Sequence, residues 1–195
     1  MKFTIITALL SATALANPLS ARAPRAKFTG EAPQITGQGC PAGTVNVAYS
    51  NDNEVVTARF TRFTAAVSPA APGAPREVDC SLTFRVRQPV GFRGVTASIN
   101  STGTWFSGGG ATGFIWRNHV FPNPTGRTTF ENSISTVGGP TPWTYIDRVV
   151  NTNTQTVEQI VEYKFEGRLR IQASTGAVAV LDQNFYRLDI TNQLP

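Results

Sequence analysis

The chain is 195 residues long, 41% apolar and only 15% charged, with two cysteines and one histidine. That length suits one well-buried core better than two. Its net charge of +5 and pI near 9.7 point towards an acidic partner, yet Lys2, Arg22, Arg25 and Lys27 all precede Phe28, and from there on 13 basic residues face 12 acidic ones. A nearly neutral folded part is expected, with neither nucleic acid nor membrane as partner.

Lys2, the apolar run Phe3 to Leu10 and the small-residue ending Ala14-Leu15-Ala16 have the layout of a secretory signal peptide, 1–16, cleaved near Ala16. Residues 17–34 read as a basic Pro/Ala-rich leader or linker, either solvated or trimmed, and 35–195 as a single domain. No later window approaches the roughly 20 apolar residues that a membrane helix needs. The expected location is secreted and extracellular.

In an oxidising compartment two cysteines favour a disulfide, Cys40 to Cys80. A metal site would need four ligands, and His119 alone could add an imidazole, so no metal is expected. No phosphate-cradling loop, dinucleotide fingerprint, EF-hand or HExxH spacing occurs, and no cofactor is implied.

Thr44 to Ser50 alternates in the manner of a strand and ends in the turn Asn51-Asp52-Asn53. Glu54 to Val67 resumes β-type residues with a less regular alternation that suggests a bulge. Ser68 to Arg76, with three prolines and a glycine, reads as a surface loop. Glu77 to Gln88 is the clearest strand: Val78, Cys80, Leu82, Phe84 and Val86 share one face, so Cys80 points inward. Phe92 to Thr102 follows. Its polar face carries Asn100 of Asn100-Ser101-Thr102, an N-glycosylation acceptor expected to be accessible near a strand end.

Residues 103–121 read as short strands around the glycine-rich 107–113 loop. Further strands are expected at 127–137 and 143–150. Thr156 to Ser174 fits a helical stripe or two strands broken at Gly167, and its β-branched and aromatic content favours the strands. A last strand pair or one long bent strand occupies 177–191. The whole predicts an all-β, antiparallel two-layer β-sandwich of about 8–10 short strands, with a closed β-barrel as the alternative.

His119 lies in the text Trp116-Arg117-Asn118-His119 without a nucleophile elbow, and reads as a partly exposed residue near a strand end. No catalytic residue is assigned. Trp105, Trp116 and Trp143 are candidate ligand-binding residues, since an exposed indole stacks on a sugar ring; filling the core is the competing role of any tryptophan.

The spacing Gly37-x-Gly39-Cys40-Pro41-x-Gly43, followed by Arg76-x-x-x-Cys80-x-Leu82-x-Phe84-x-Val86-x-x-Pro89-x-Gly91-Phe92, resembles a family of small secreted proteins of unknown function, mostly fungal with some bacterial members. Tyr186-Arg187-Leu188-Asp189-Ile190-Thr191 is similar to that family's last strand, although many members carry a further cysteine pair that this chain lacks. The resemblance implies secretion and a compact β domain, and supplies no catalytic residues. The functional expectation is a monomeric, non-catalytic extracellular binding protein directed at cell-wall polysaccharide or a host component. The alternatives are a polysaccharide hydrolase or lyase using carboxylates such as Glu158 and Glu162, and a small secreted effector.

Overall fold

The computed structural model describes residues 24–71, 73–121, 126–152 and 154–193. The expected signal peptide and the leader up to residue 23 lie outside the described residues. Within them the chain forms β1 (Lys27–Phe28), β2 (Gln34–Thr36), β3 (Val45–Tyr49), β4 (Val55–Phe60), β5 (Thr64–Val67) and β6 (Glu77–Gln88). It continues through β7 (Val95–Ser107), β8 (Ala111–Val120), β9 (Arg127–Ile134), β10 (Gly138–Asn151), β11 (Gln159–Ala173) and β12 (Ala179–Gln193). No helix occurs among the described residues.

Two antiparallel sheets make a sandwich, not a closed barrel. One has the order β1-β6-β11-β8-β9, with β2 also on β6; the other runs β10-β7-β12-β4-β3, with β5 also on β12. Period-two alternation sets the inner faces. Leu82 and Phe84 of β6, with Tyr163, Phe165 and Leu169 of β11, meet Ile99 of β7 and Tyr186 and Leu188 of β12, all wholly buried.

Cys40 and Cys80 are bonded, with Cα atoms 5.4 Å apart, and both side chains are buried. The lead-in crosses β6 so closely that glycine is required. The Gly39 amide donates to the Asp79 carbonyl at 2.8 Å, and a methyl on Gly39 would run into the Phe63 ring.

Three expectations change. The stretch read as leader is drawn into the fold from Arg25 on: Ala26 and Phe28 are buried, Phe28 pairs with Val86, and Arg25 donates to the buried Glu54 at 2.7 Å. Residues 159–173 form one strand, not two, because Gly167 leaves room for Phe63 and Phe165: a methyl there would stand 2.9 Å from the Phe165 ring and 3.0 Å from Phe63. Finally, β7 does not stop near Thr102 but runs to Ser107, which puts Asn100 in mid-strand, half-buried, opposite Ile146 and Arg187.

Candidate functional site

The phase of β8 sets up two polar centres, one on each face of its sheet. Gly113, Ile115, Arg117 and His119 face the core, while Phe114, Trp116, Asn118 and Val120 face outward. An arginine and a histidine thus lie inside, and two large aromatics lie on the outer surface.

Inside, Arg117 and Asp147 form a buried bidentate pair, with Nε to Oδ2 at 2.7 Å and Nη2 to Oδ1 at 3.0 Å. Arg117 also donates to Asn132 Oδ1 at 2.6 Å and lies 4.7 Å from the centre of the Tyr145 ring. His119, expected to be partly exposed, is wholly buried, because alternation from Ile115 carries it inward. Its Nε2 is 3.1 Å from Asp147 Oδ2 and its Nδ1 is 2.6 Å from the Tyr163 hydroxyl, which in turn lies 2.8 Å from the Tyr186 hydroxyl.

Burial works to raise the Asp147 carboxyl, but hydrogen bonds from His119 and Arg117 and the Arg117 charge overcome it and hold it below the usual aspartate range. An ionised carboxylate only accepts, so His119 Nε2 carries the hydrogen and Nδ1 accepts from Tyr163. Burial lowers the His119 pKa, with the Asp147 hydrogen bond and charge opposing it, and the imidazole is neutral at neutral pH. Burial likewise raises the Tyr163 and Tyr186 phenols. Tyr186 to Tyr163 to His119 to Asp147 is therefore one satisfied donor chain. It has the order of a proton relay, but it sits between the sheets, where it joins β8 and β11 to β10 and β12.

Outside, β6, β11 and β8 carry a groove of about 630 Å³. Register sets its floor in rows: Asp79, Arg168 and Trp116 are cross-strand neighbours, and Ser81, Glu166 and Asn118 form the next row. The half-buried Trp116 lines it, its indole backed by Phe114 with ring centres 5.6 Å apart and planes 19° from parallel. Glu166 takes Lys164 at 2.8 Å and Arg127 at 3.0 Å. Burial favours the neutral Glu166 acid, yet the Lys164 hydrogen bond and charge, the Arg127 charge and the Asn118 amide outweigh it and hold the carboxyl below the usual glutamate range.

Of the three candidate tryptophans, Trp116 alone is at this surface. Trp105 is 1% exposed and its indole donates to the Thr136 carbonyl at 2.8 Å; Trp143 is 6% exposed and donates to the Asp182 carbonyl at 3.1 Å. Both occupy inward positions of their strands and pack in the core. Glu158 is exposed and lies 3.4 Å from Arg87, and Glu162 is exposed opposite Arg85; neither lines the groove. Sequence reasoning missed Arg117, Asp147 and Tyr163, and also Ser81, Asn118 and Glu166. For Arg117 the signal was Ile115, whose inward phase places Arg117 and His119 inside. No group of three or more His, Cys, Asp or Glu residues among the described residues could hold a metal ion.

Several solved structures are similar in outline. A carbohydrate-binding module, TmCBM61, in complex with galactotriose is 13% identical with a TM-score of 0.30, over 84% of this chain and 90% of its own. The Eiger TNF of S. frugiperda is 9% identical with a TM-score of 0.33, over 85% and 96%. Likenesses of this size bear on neither ligand nor activity. By sequence, an uncharacterized secreted protein of Arthroderma benhamiae is 28% identical over 121 residues, which is 62% of this chain and 48% of that protein. The chain thus spans about half the length of that relative. The family model for a domain of unknown function, DUF4360, matches residues 28–186, and the chain belongs to that family.

Proposed function

We propose that the protein is a secreted, non-catalytic binding protein that holds polysaccharide outside the cell in the groove over β6, β11 and β8. The carrying observation is Trp116: a large aromatic on the outer face of β8, lining a groove whose other walls are polar. A flat indole beside hydroxyl, amide and charged groups suits a sugar, which has apolar ring faces and polar edges. The disulfide between Cys40 and Cys80 fits an oxidising extracellular setting, as does a secreted relative.

The test is retention of the purified protein on insoluble wall polysaccharides, wild type against Trp116→Ala. Retention by the wild type, lost in a variant with unchanged circular dichroism, is the expected result. Equal retention of the two proteins would move the site elsewhere.

A further inference from the structure

We propose that Asn100 carries an N-linked glycan in the secreted protein, and that this glycan covers the outer face of β10, β7 and β12, leaving the opposite sheet as the open face. Asn100-Ser101-Thr102 is the one acceptor triplet of the sequence, since Pro124 disqualifies Asn123-Pro124-Thr125.

The fold turns the acceptor atom outward. Along β7, Ile99 and Ser101 are wholly buried between the sheets, while Ser98, Asn100 and Thr102 face the outer side. The half-burial of Asn100 is uneven. Its Oδ1 is buried with no hydrogen-bond partner, whereas its Nδ2, which has no partner among the described residues either, is not buried. The nitrogen takes the sugar, and the nitrogen is the end that meets solvent.

The neighbours leave room for a sugar and give it something to cover. Ser98 and Thr102, the outward residues on either side along β7, are small. Across the strands Asn100 stands opposite Ile146 and Arg187, and Arg187 is drawn aside to Asp189 at 3.2 Å. Ile146 is 65% exposed, and Val150, on the same face of β10, is 45% exposed. Both belong to a strand at the end of its sheet, where exposed apolar side chains invite association with a second copy. A glycan rooted about 5 Å away, on the paired position of the next strand, lies over Ile146 and puts hydroxyls where an apolar side chain otherwise meets water.

The donor is a lipid-diphosphate-linked oligosaccharide. Asn100 Nδ2 attacks C1 of its first N-acetylglucosamine; the N–C1 bond forms, the C1–O bond to the diphosphate breaks, the lipid diphosphate leaves with the electron pair, and one amide proton passes to a base of the transferase. In the fold β7 is paired on both sides through residues 100–102, and the Thr102 hydroxyl donates to Asn184 at 3.1 Å. The triplet is then closed to an enzyme, so transfer precedes closure of the sheet.

The full chain would be secreted from a yeast host as wild type, as Asn100→Gln and as Thr102→Ala, the last of which leaves Asn100 in place. A wild type of larger mass is expected, returned by peptide N-glycosidase to the mass of the bare chain with asparagine converted to aspartate at position 100, and both variants should be bare. A wild type that is secreted bare, or that stays in the cell without the sugar, would overturn the proposal. The covering role is read by sedimentation: Asn100→Gln should self-associate at concentrations where the glycosylated protein is monomeric, and adding Ile146→Thr should restore the monomer. Equal association of the bare and glycosylated proteins would overturn that role alone. Because the groove lies on the other sheet, glycosylated and bare proteins should be retained equally on wall polysaccharide, and retention of the bare protein only would overturn the assignment of the open face.

Discussion

His119 Nε2 lies 3.1 Å from the Asp147 carboxylate, a contact that joins β8 of one sheet to β10 of the other inside the core. Its consequence is a stability that depends on pH. The His119 pKa is lowered in the fold, so below about 6.5 the unfolded chain takes up a proton that the folded chain refuses. Stability then falls as pH falls, until the folded pKa is reached. Asp147, also lowered, adds a second loss as pH drops below its unfolded value near 3.8. Tyr163 and Tyr186 are raised, so stability falls again above about pH 10, where the unfolded phenols ionise first. Urea midpoints across this range should trace a dome, and His119→Gln should flatten its acid limb between pH 6.5 and the folded pKa by about 1.4 kcal/mol per pH unit. An unchanged limb in that variant would remove His119 as the cause.

The Arg117 and Asp147 pair should show strong coupling. Replacing Arg117 by Met strands a buried carboxylate, and replacing Asp147 by Asn strands a buried guanidinium; each is expected to cost about 3–5 kcal/mol. Combining the same two substitutions should cost well under the sum of the single losses, since the Arg117→Met side chain then lies beside a neutral amide that still accepts from His119. Additive losses in the double variant, measured by chemical denaturation, would argue against a paired role.

Removing the disulfide tests how the N-terminal lead-in is held. The bond spans a sequence separation of 40 residues. Cys40→Ala with Cys80→Ala should lower stability by about 4 kcal/mol in the chain-entropy view. Because β2 keeps its own pairing of Ile35 with Leu82, the fold should persist in the variant. A loss under about 1 kcal/mol would mean that this pairing alone restrains the lead-in.

Local alternation made much of this fold legible. Glu77–Gln88 has the boundaries that its pattern predicts, and that pattern turns Cys80 inward towards Cys40. The pattern failed where a residue's role depends on partners distant in sequence. Arg117 and His119 look like surface residues until Asp147, 30 and 28 positions away, comes across from the other sheet. Gly167 looks like a breaker until Phe63, from the turn between β4 and β5, fills the space it leaves. Arg25 looks solvated until Glu54 receives it. The tryptophans divide for the same reason: in strands with aromatics on both faces, composition does not say which face is the core. For the groove, Trp116 was legible as a candidate. Its row partners were not, because Ser81, Glu166 and Asn118 become neighbours only through the register of three strands.

Trp105 and Trp116 give the sharpest contrast between packing and recognition. Trp105 lies against Leu181 and Gly113, where a methyl would stand 2.9 Å from its ring. Truncating it to alanine empties a large, fully enclosed site, and the expected loss is about 3–5 kcal/mol. Trp116 is half-buried on the outer face, and truncating it forfeits mainly its stacking on Phe114, about 1 kcal/mol. The two variants should therefore separate cleanly. Trp105→Ala should lower the urea midpoint steeply while leaving any surviving folded protein able to bind glycan, because its indole does not line the groove. Trp116→Ala should keep a near-native midpoint and lose binding. If Trp116→Ala unfolded as readily as Trp105→Ala, the outer aromatic pair would be part of the structural core and the groove would lose its platform.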